Sequence, residues 1–167
     1  MSSPFDKLIS ILHGELQLYR RLQGVLAEEQ EALQALAAER LLALANEKDS
    51  LALQLKALDE SRRLAIESIA ERFGQEEAES LRLGDIAALA PETEAAELRR
   101  LGAELRAAVE GGQTRNVSNR CLANHSLQIV REAIRVLAQP DEIHKTYRPK
   151  GALRAYRIAP QVVARQA

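Results

Sequence analysis

Tryptophan is absent from this 167-residue chain, and phenylalanine and tyrosine contribute only 2 and 3 residues. A thick globular core therefore has few large side chains to fill it. The apolar content falls to leucine and alanine, which suit thin seams between helices. A single cysteine, Cys121, excludes an internal disulfide and fits a reducing compartment. Unbroken apolar runs stop at five residues, as at 41–45, far short of a membrane span. The opening Met1-Ser2-Ser3-Pro4-Phe5-Asp6 has no basic stretch followed by an apolar one, so no secretory signal is expected and the expected setting is soluble and cytoplasmic. Acidic residues are missing from the C-terminal end. All 24 lie at or before Glu142, while Lys145, Arg148, Lys150, Arg154, Arg157 and Arg165 follow. An acidic body with a basic tail predicts two kinds of surface.

What the chain has in excess is helix formers. Alanine, leucine, glutamate, lysine and arginine supply 96 of the 167 residues, more than the half-share that marks long helices and coiled coils. Ser3-Pro4-Phe5-Asp6 reads as a helix start, with Ser3 as N-cap and Asp6 closing a capping box. From there Leu8, Leu12, Glu15, Tyr19, Leu22, Leu26, Glu29, Leu33 and Leu36 fall on alternating steps of four and three, the spacing of a coiled-coil seam. The two glutamates make the seam imperfect. Leu41, Leu44, Lys48, Leu51, Leu55, Leu58, Arg62, Ala65 and Ile69 repeat the spacing, and Phe73-Gly74 reads as the stop. No glycine or proline parts the two stretches, so a bend near Ala38-Glu39-Arg40 is expected, with one continuous helix as the alternative. A short amphipathic helix is expected within 75–90, ended by Leu83-Gly84-Asp85 and then Pro91.

A third long helix is expected from about Pro91 to Ala138, stopped by Gln139-Pro140. Gly111-Gly112 should interrupt it, at about 1 kcal/mol per glycine against alanine. Beyond that pair the apolar arc widens. Leu122, Ile129 and Val136 form one stripe and Leu127, Val130, Ile134 and Leu137 an adjacent one, together roughly 180° of the wheel at about 100° per residue. Such an arc either packs against both earlier helices or lies open to an amphipathic partner helix. The tail from Asp141 has no sustained helical period. Thr146-Tyr147-Arg148-Pro149-Lys150-Gly151 carries turn residues, and Pro160 forbids a long helix.

No constellation of catalytic groups is visible. His13, His125 and His144 are dispersed, and Cys121 with His125 supplies at most half a zinc site with no second pair to complete it. There is no phosphate-binding loop and no nucleophile elbow. The carboxylates lie at helical spacings beside arginines, as solvated faces do. Neither a cofactor nor a metal is expected, and an enzyme is not. Only Tyr147 and Tyr156 are available in the basic tail for stacking on bases, so nucleic acid is not expected as a partner. Nor is stable membrane insertion.

Several stretches resemble a known family. "NEKDSLALQLKALDESRR" at 46–63 followed by "ERFG" at 71–74 is similar to the second helix of the FlgN family of flagellar export chaperones, with Glu47-Lys48 and Arg62-Arg63 at its charged pairs. "LHGELQLYRRLQGVLAEEQEAL" at 12–33 resembles its first helix. Asn116, Asn119, Leu122, Asn124 and the apolar run ending at Leu137 resemble its third, and "TYRPKG" at 146–151 its terminal tyrosine motif. The likeness covers about residues 5–151 in order. It departs at Arg148, where the family usually has glycine, at Gly111-Gly112, and after Gly151, where no family motif continues. The resemblance implies a cytoplasmic chaperone that binds hook-associated (hook–filament junction) proteins and delivers them to the flagellar export gate. With the periodicity, it makes Leu122, Leu127, Ile129, Val130, Ile134 and Leu137 the candidate client-binding residues. Tyr147, Pro149 and Gly151 become candidates for docking on the export apparatus. The expected fold is all-α: a long antiparallel helical hairpin or coiled coil, a third long helix and an irregular basic tail. The expected division is a helical chaperone domain over residues 1–140 and a tail over 141–167. A self-associating coiled-coil adaptor is the competing reading, and a homodimer fits either.

Overall fold

The computed structural model describes residues 3–74 and 81–138 in full, and the backbone of 146–147 and 153–154. Among the described residues there are α-helices α1 (Pro4–Gln34), α2 (Ala38–Arg72), α3 (Leu83–Leu89) and α4 (Glu92–Ala138), followed by two short strands, β1 (Thr146–Tyr147) and β2 (Leu153–Arg154). The fold is all-α. By its contacts the chain divides into two compact units, Met1–Ser126 and Leu127–Ala167.

In the first unit, α1 starts where its capping residues dictate. The Ser3 hydroxyl accepts from Phe5 N at 3.3 Å, and the Asp6 carboxylate accepts from Ser3 N at 2.8 Å. That box satisfies donors which a helix start otherwise leaves open. The helix ends without the glycine such ends favour. Leu36 N donates to Leu33 O at 3.3 Å and Ala37 N to Ala32 O at 2.9 Å, while Leu36 takes the left-handed conformation at φ 53°. This is the Schellman pattern carried by a leucine, a residue for which that conformation costs roughly 1–2 kcal/mol. The break therefore falls at Ala35–Ala37, just upstream of the expected bend, and the continuous-helix alternative does not occur. The expected stop at Phe73-Gly74 is observed, with Gly74 at φ 68°.

The turn folds α2 back along α1 as an antiparallel hairpin, and the charges that spoil the two seams meet across it. Arg62 lies 3.2 Å from the Glu15 carboxylate and Lys48 lies 2.8 Å from that of Glu29. Glu15 to Glu29 and Lys48 to Arg62 are each steps of two heptads, so one register satisfies both pairs. At the open end of the hairpin the Phe5 and Phe73 rings stand 5.7 Å apart.

α4 runs parallel to α1. Glu97 meets His13 at 3.1 Å and Glu104 meets Arg20 at 2.8 Å, so contacts advance in the same sense on both helices. Leu8, Leu12, Ile69, Ile86, Leu98 and Leu101 are fully buried at the centre of one cluster joining α1, α2, α3 and α4. Each such side chain contributes about 1.5–3 kcal/mol relative to exposure. A second cluster of Val25, Ala32, Leu44 and Leu51 fills the hairpin nearer its turn. Two expectations are corrected. Leu83-Gly84-Asp85 opens α3 and does not end a helix, because the Asp85 carboxylate accepts from Arg82 N at 2.8 Å. Gly111-Gly112 does not interrupt α4, which is helical throughout.

In the second unit, residues 127–138 are helical, and β1 and β2 pair antiparallel, Thr146 opposite Arg154 and Tyr147 opposite Leu153.

Candidate partner-binding site

Leu127, Val130, Ile134 and Leu137 are spaced three, four and three residues apart and so share one face of a helix. In the structure they are 52%, 40%, 59% and 82% exposed, and Ile129 and Val136 beside them are 51% and 65% exposed. Arg131 and Arg135 occupy the other side of the wheel, with Arg135 paired to Glu132 at 2.6 Å. The apolar arc over 127–137 is thus solvent-exposed along its length. Of the candidate residues only Leu122, in the first unit, is half-buried. Single exposed leucines are ordinary, but a contiguous apolar row on one face is the kind of patch that marks an interaction site. The side chain of Tyr147, and Pro149 and Gly151 entirely, lie outside the described residues.

A second concave feature went unread in the sequence. An open cleft of about 590 Å³ lies between α2 and α4 over α1, lined by Glu15, Tyr19, Leu55, Arg62, Leu105 and Val109 among others. Beside it, a smaller one of about 370 Å³ shares Tyr19, Leu55 and Val109 and reaches Leu22, Leu26 and Gly112. Glu15 is a carboxylate with 5% of its surface exposed. Burial pushes its pKa up, Arg62 pulls it down and Asp59 adds to the rise. Glu97, by contrast, is held below the usual carboxylate range by its hydrogen bond to Arg100 and, to a lesser extent, by His13. The sequence signal for the Glu15 site was the glutamate on a leucine seam, but its partner becomes visible only once the hairpin register is known.

The family model described as FlgN protein matches residues 1–155. The chain belongs to the FlgN family of flagellar export chaperones. No curated protein and no solved structure matches it. FlgN proteins work on other proteins, and what this FlgN-family chain offers them is helical surface. Among the described residues no group of three or more histidines, cysteines, aspartates or glutamates is placed to hold a metal ion. No described helix is long and apolar enough to cross a membrane. Cys121 and His125 are both exposed on α4, and His13 meets Glu97 at 3.1 Å.

Proposed function

We propose that this chain is a cytoplasmic, non-enzymatic export chaperone that binds hook-associated proteins, prevents their premature assembly and delivers them to the export gate. The observation that carries the reading is the exposed apolar row of Leu127, Ile129, Val130, Ile134 and Leu137 on α4. A client's amphipathic terminal segment lays its own apolar face on that row. The client is released when the export machinery captures it. In this reading the helical region up to residue 140 holds the client. The basic tail 141–167 carries the docking element, with Tyr147 as an aromatic anchor and Pro149 and Gly151 beside it in sequence.

Replacing Ile129 and Ile134 together with aspartate tests the client face. Both side chains are more than half exposed, so helicity by circular dichroism should stay near wild type. Affinity for the hook-associated client should fall at least about 100-fold, as for loss of central anchors. A folded double variant that binds undiminished sinks the proposal. Tyr147→Ala should keep client affinity and lose recruitment to the export apparatus; unchanged recruitment and export count against the docking role. Co-purification of the tagged chain from its native flagellated cells should return hook-associated proteins in near-stoichiometric amount. Recovery of the chain alone, with light scattering giving a stable homo-oligomer, favours instead the adaptor whose apolar row is its own interface.

A further inference from the structure

The contact between α4 and α1 changes character along its length. Ala95, Leu98, Leu101, Leu105 and Ala108 are buried apolar residues. Beyond Ala108 the only buried residues of α4 are Gly112 and Asn119. Hydrogen bonds take over there. Gln23 Nε2 donates to Ala108 O at 2.9 Å, and an Arg115 guanidinium nitrogen donates to Gln23 O at 3.1 Å. The Asn119 amide donates to Leu26 O at 2.7 Å and to the Glu29 carboxylate at 2.8 Å. Glu29 also accepts from Lys48, so Asn119 closes a chain of hydrogen bonds across α4, α1 and α2. Asn119 is only 2% exposed, and its Oδ1 has no hydrogen-bond partner among the described residues. A buried acceptor left open weakens the closed form that the two donated bonds favour.

The glycine pair stands where the apolar contact ends. Gly111 has a packing reason: a Cβ there would meet Gln23 Nε2 at 2.9 Å, the group that bonds Ala108 O. Gly112 has none, because a Cβ added to it meets nothing within 4 Å. It is a buried helix-interior glycine whose absent side chain makes room for no atom of a neighbouring element among the described residues. What it supplies is backbone freedom.

We propose that Gly112 is a hinge and Asn119 its latch, so that residues 113–126 swing away from α1 as one arm while the segment 92–108 stays docked. Opening bares Leu22 and Leu26, which line the same cleft as Gly112. The device does not depend on which partner the chain carries.

Spin-label distances on the full chain test it. The native Cys121 is exposed, and Leu42 is 66% exposed, so Cys121 with Leu42→Cys reports on the arm. A control pair in a Cys121→Ser background, Ala103→Cys with Leu53→Cys, reports on the docked half. The arm pair should show a minor population at longer distance in the wild type. Asn119→Ala should enlarge it roughly tenfold, as for loss of hydrogen bonds to a charged acceptor. Gly112→Ala, which fits without a clash, should shrink it about fivefold through helix propensity alone. The control pair should keep one narrow distance in all three proteins. A single narrow arm distance in both the wild type and Asn119→Ala overturns the proposal. So does an arm distribution indifferent to Gly112→Ala, or a control pair that broadens along with it.

Discussion

Arg62→Leu tests the buried carboxylate at Glu15, because the other partner of Arg62, Asp59, is an exposed carboxylate whose pair is worth little. The Glu15 side chain is 6% exposed and its partner Arg62 is 39% exposed, 3.2 Å away. Stripping one partner from a fully buried pair costs about 3–5 kcal/mol, whereas fully exposed pairs contribute about 1 kcal/mol or less. With the arginine partly in water, we expect a loss of about 1–2 kcal/mol for Arg62→Leu at pH 7. For a chain of this length that is a fall in Tm of roughly 2–8 °C. The pH dependence fixes the cause. Burial raises the Glu15 pKa in the fold, with Asp59 adding to it and Arg62 opposing it. A raised folded pKa means that the stability linked to this carboxyl is fully present below the unfolded glutamate value. That stability is lost as pH rises through the folded value. Losing Arg62 raises the folded value further, so the deficit of Arg62→Leu against wild type should be present at pH 7 and vanish near pH 4, just under the ordinary glutamate value. The double variant Glu15→Leu with Arg62→Leu makes that one layer of the two seams apolar, and should exceed wild type at pH 7 by about 1–2 kcal/mol. Thermal unfolding followed by circular dichroism at the two pH values measures all of this. An Arg62→Leu deficit as large at pH 4 as at pH 7, or a double variant less stable than Arg62→Leu, refutes the reasoning.

Leu36→Gly should stabilise the hairpin by about 1 kcal/mol, because glycine holds the left-handed conformation without the Cβ clash and Leu36 buries little; a lower urea midpoint contradicts it. Leu98→Ala should cost about 2–5 kcal/mol, since Leu98 is fully buried in the cluster that joins α3 and α4 to the hairpin. A urea titration showing less than 1 kcal/mol would place that cluster outside the stabilising core. Ser3→Ala should cost about 1 kcal/mol through loss of the capping box, read as a lower Tm with unchanged folded-state ellipticity.

Local rules carried the sequence reading where local chemistry decides. The Ser3 and Asp6 cap, the leucine spacing of the first two helices, the stop at Phe73-Gly74 and the long third helix to Ala138 are all observed. The failures came where one signal was missing or had two meanings. The turn at Ala35–Ala37 is invisible because a leucine occupies the position that glycine usually marks. Leu83-Gly84-Asp85 reads as a stop until Asp85 is seen to cap the helix it begins. Gly111-Gly112 has the propensity to break a helix, yet the backbone stays helical, with hydrogen bonds to Gln23 on either side of the pair. The wide apolar arc of the third helix was legible from periodicity, but whether it is packed or open depends on neighbours that periodicity does not describe. Glu15, Glu29, Lys48 and Arg62 looked like flaws in two seams, because their meaning lies in a register shared by both.

Those matched charges enforce alignment, but they do not enforce ownership. A second copy that lends its α2 to the α1 of the first presents the same lysine and arginine at the same spacing, and the leucine seam beside them is equally content. Exchange of whole helices between two chains is therefore invisible to every contact within the hairpin. Within the hairpin, what would separate the closed form from an exchanged pair is the turn, where Leu36 is held at φ 53°. If residues 35–37 ran straight on as helix in an exchanged pair, that conformation would be released. Mass action would set the balance between the two forms: dilution would favour the folded-back chain and high concentration a traded pair, with the backbone of Leu36 weighing on the side of exchange.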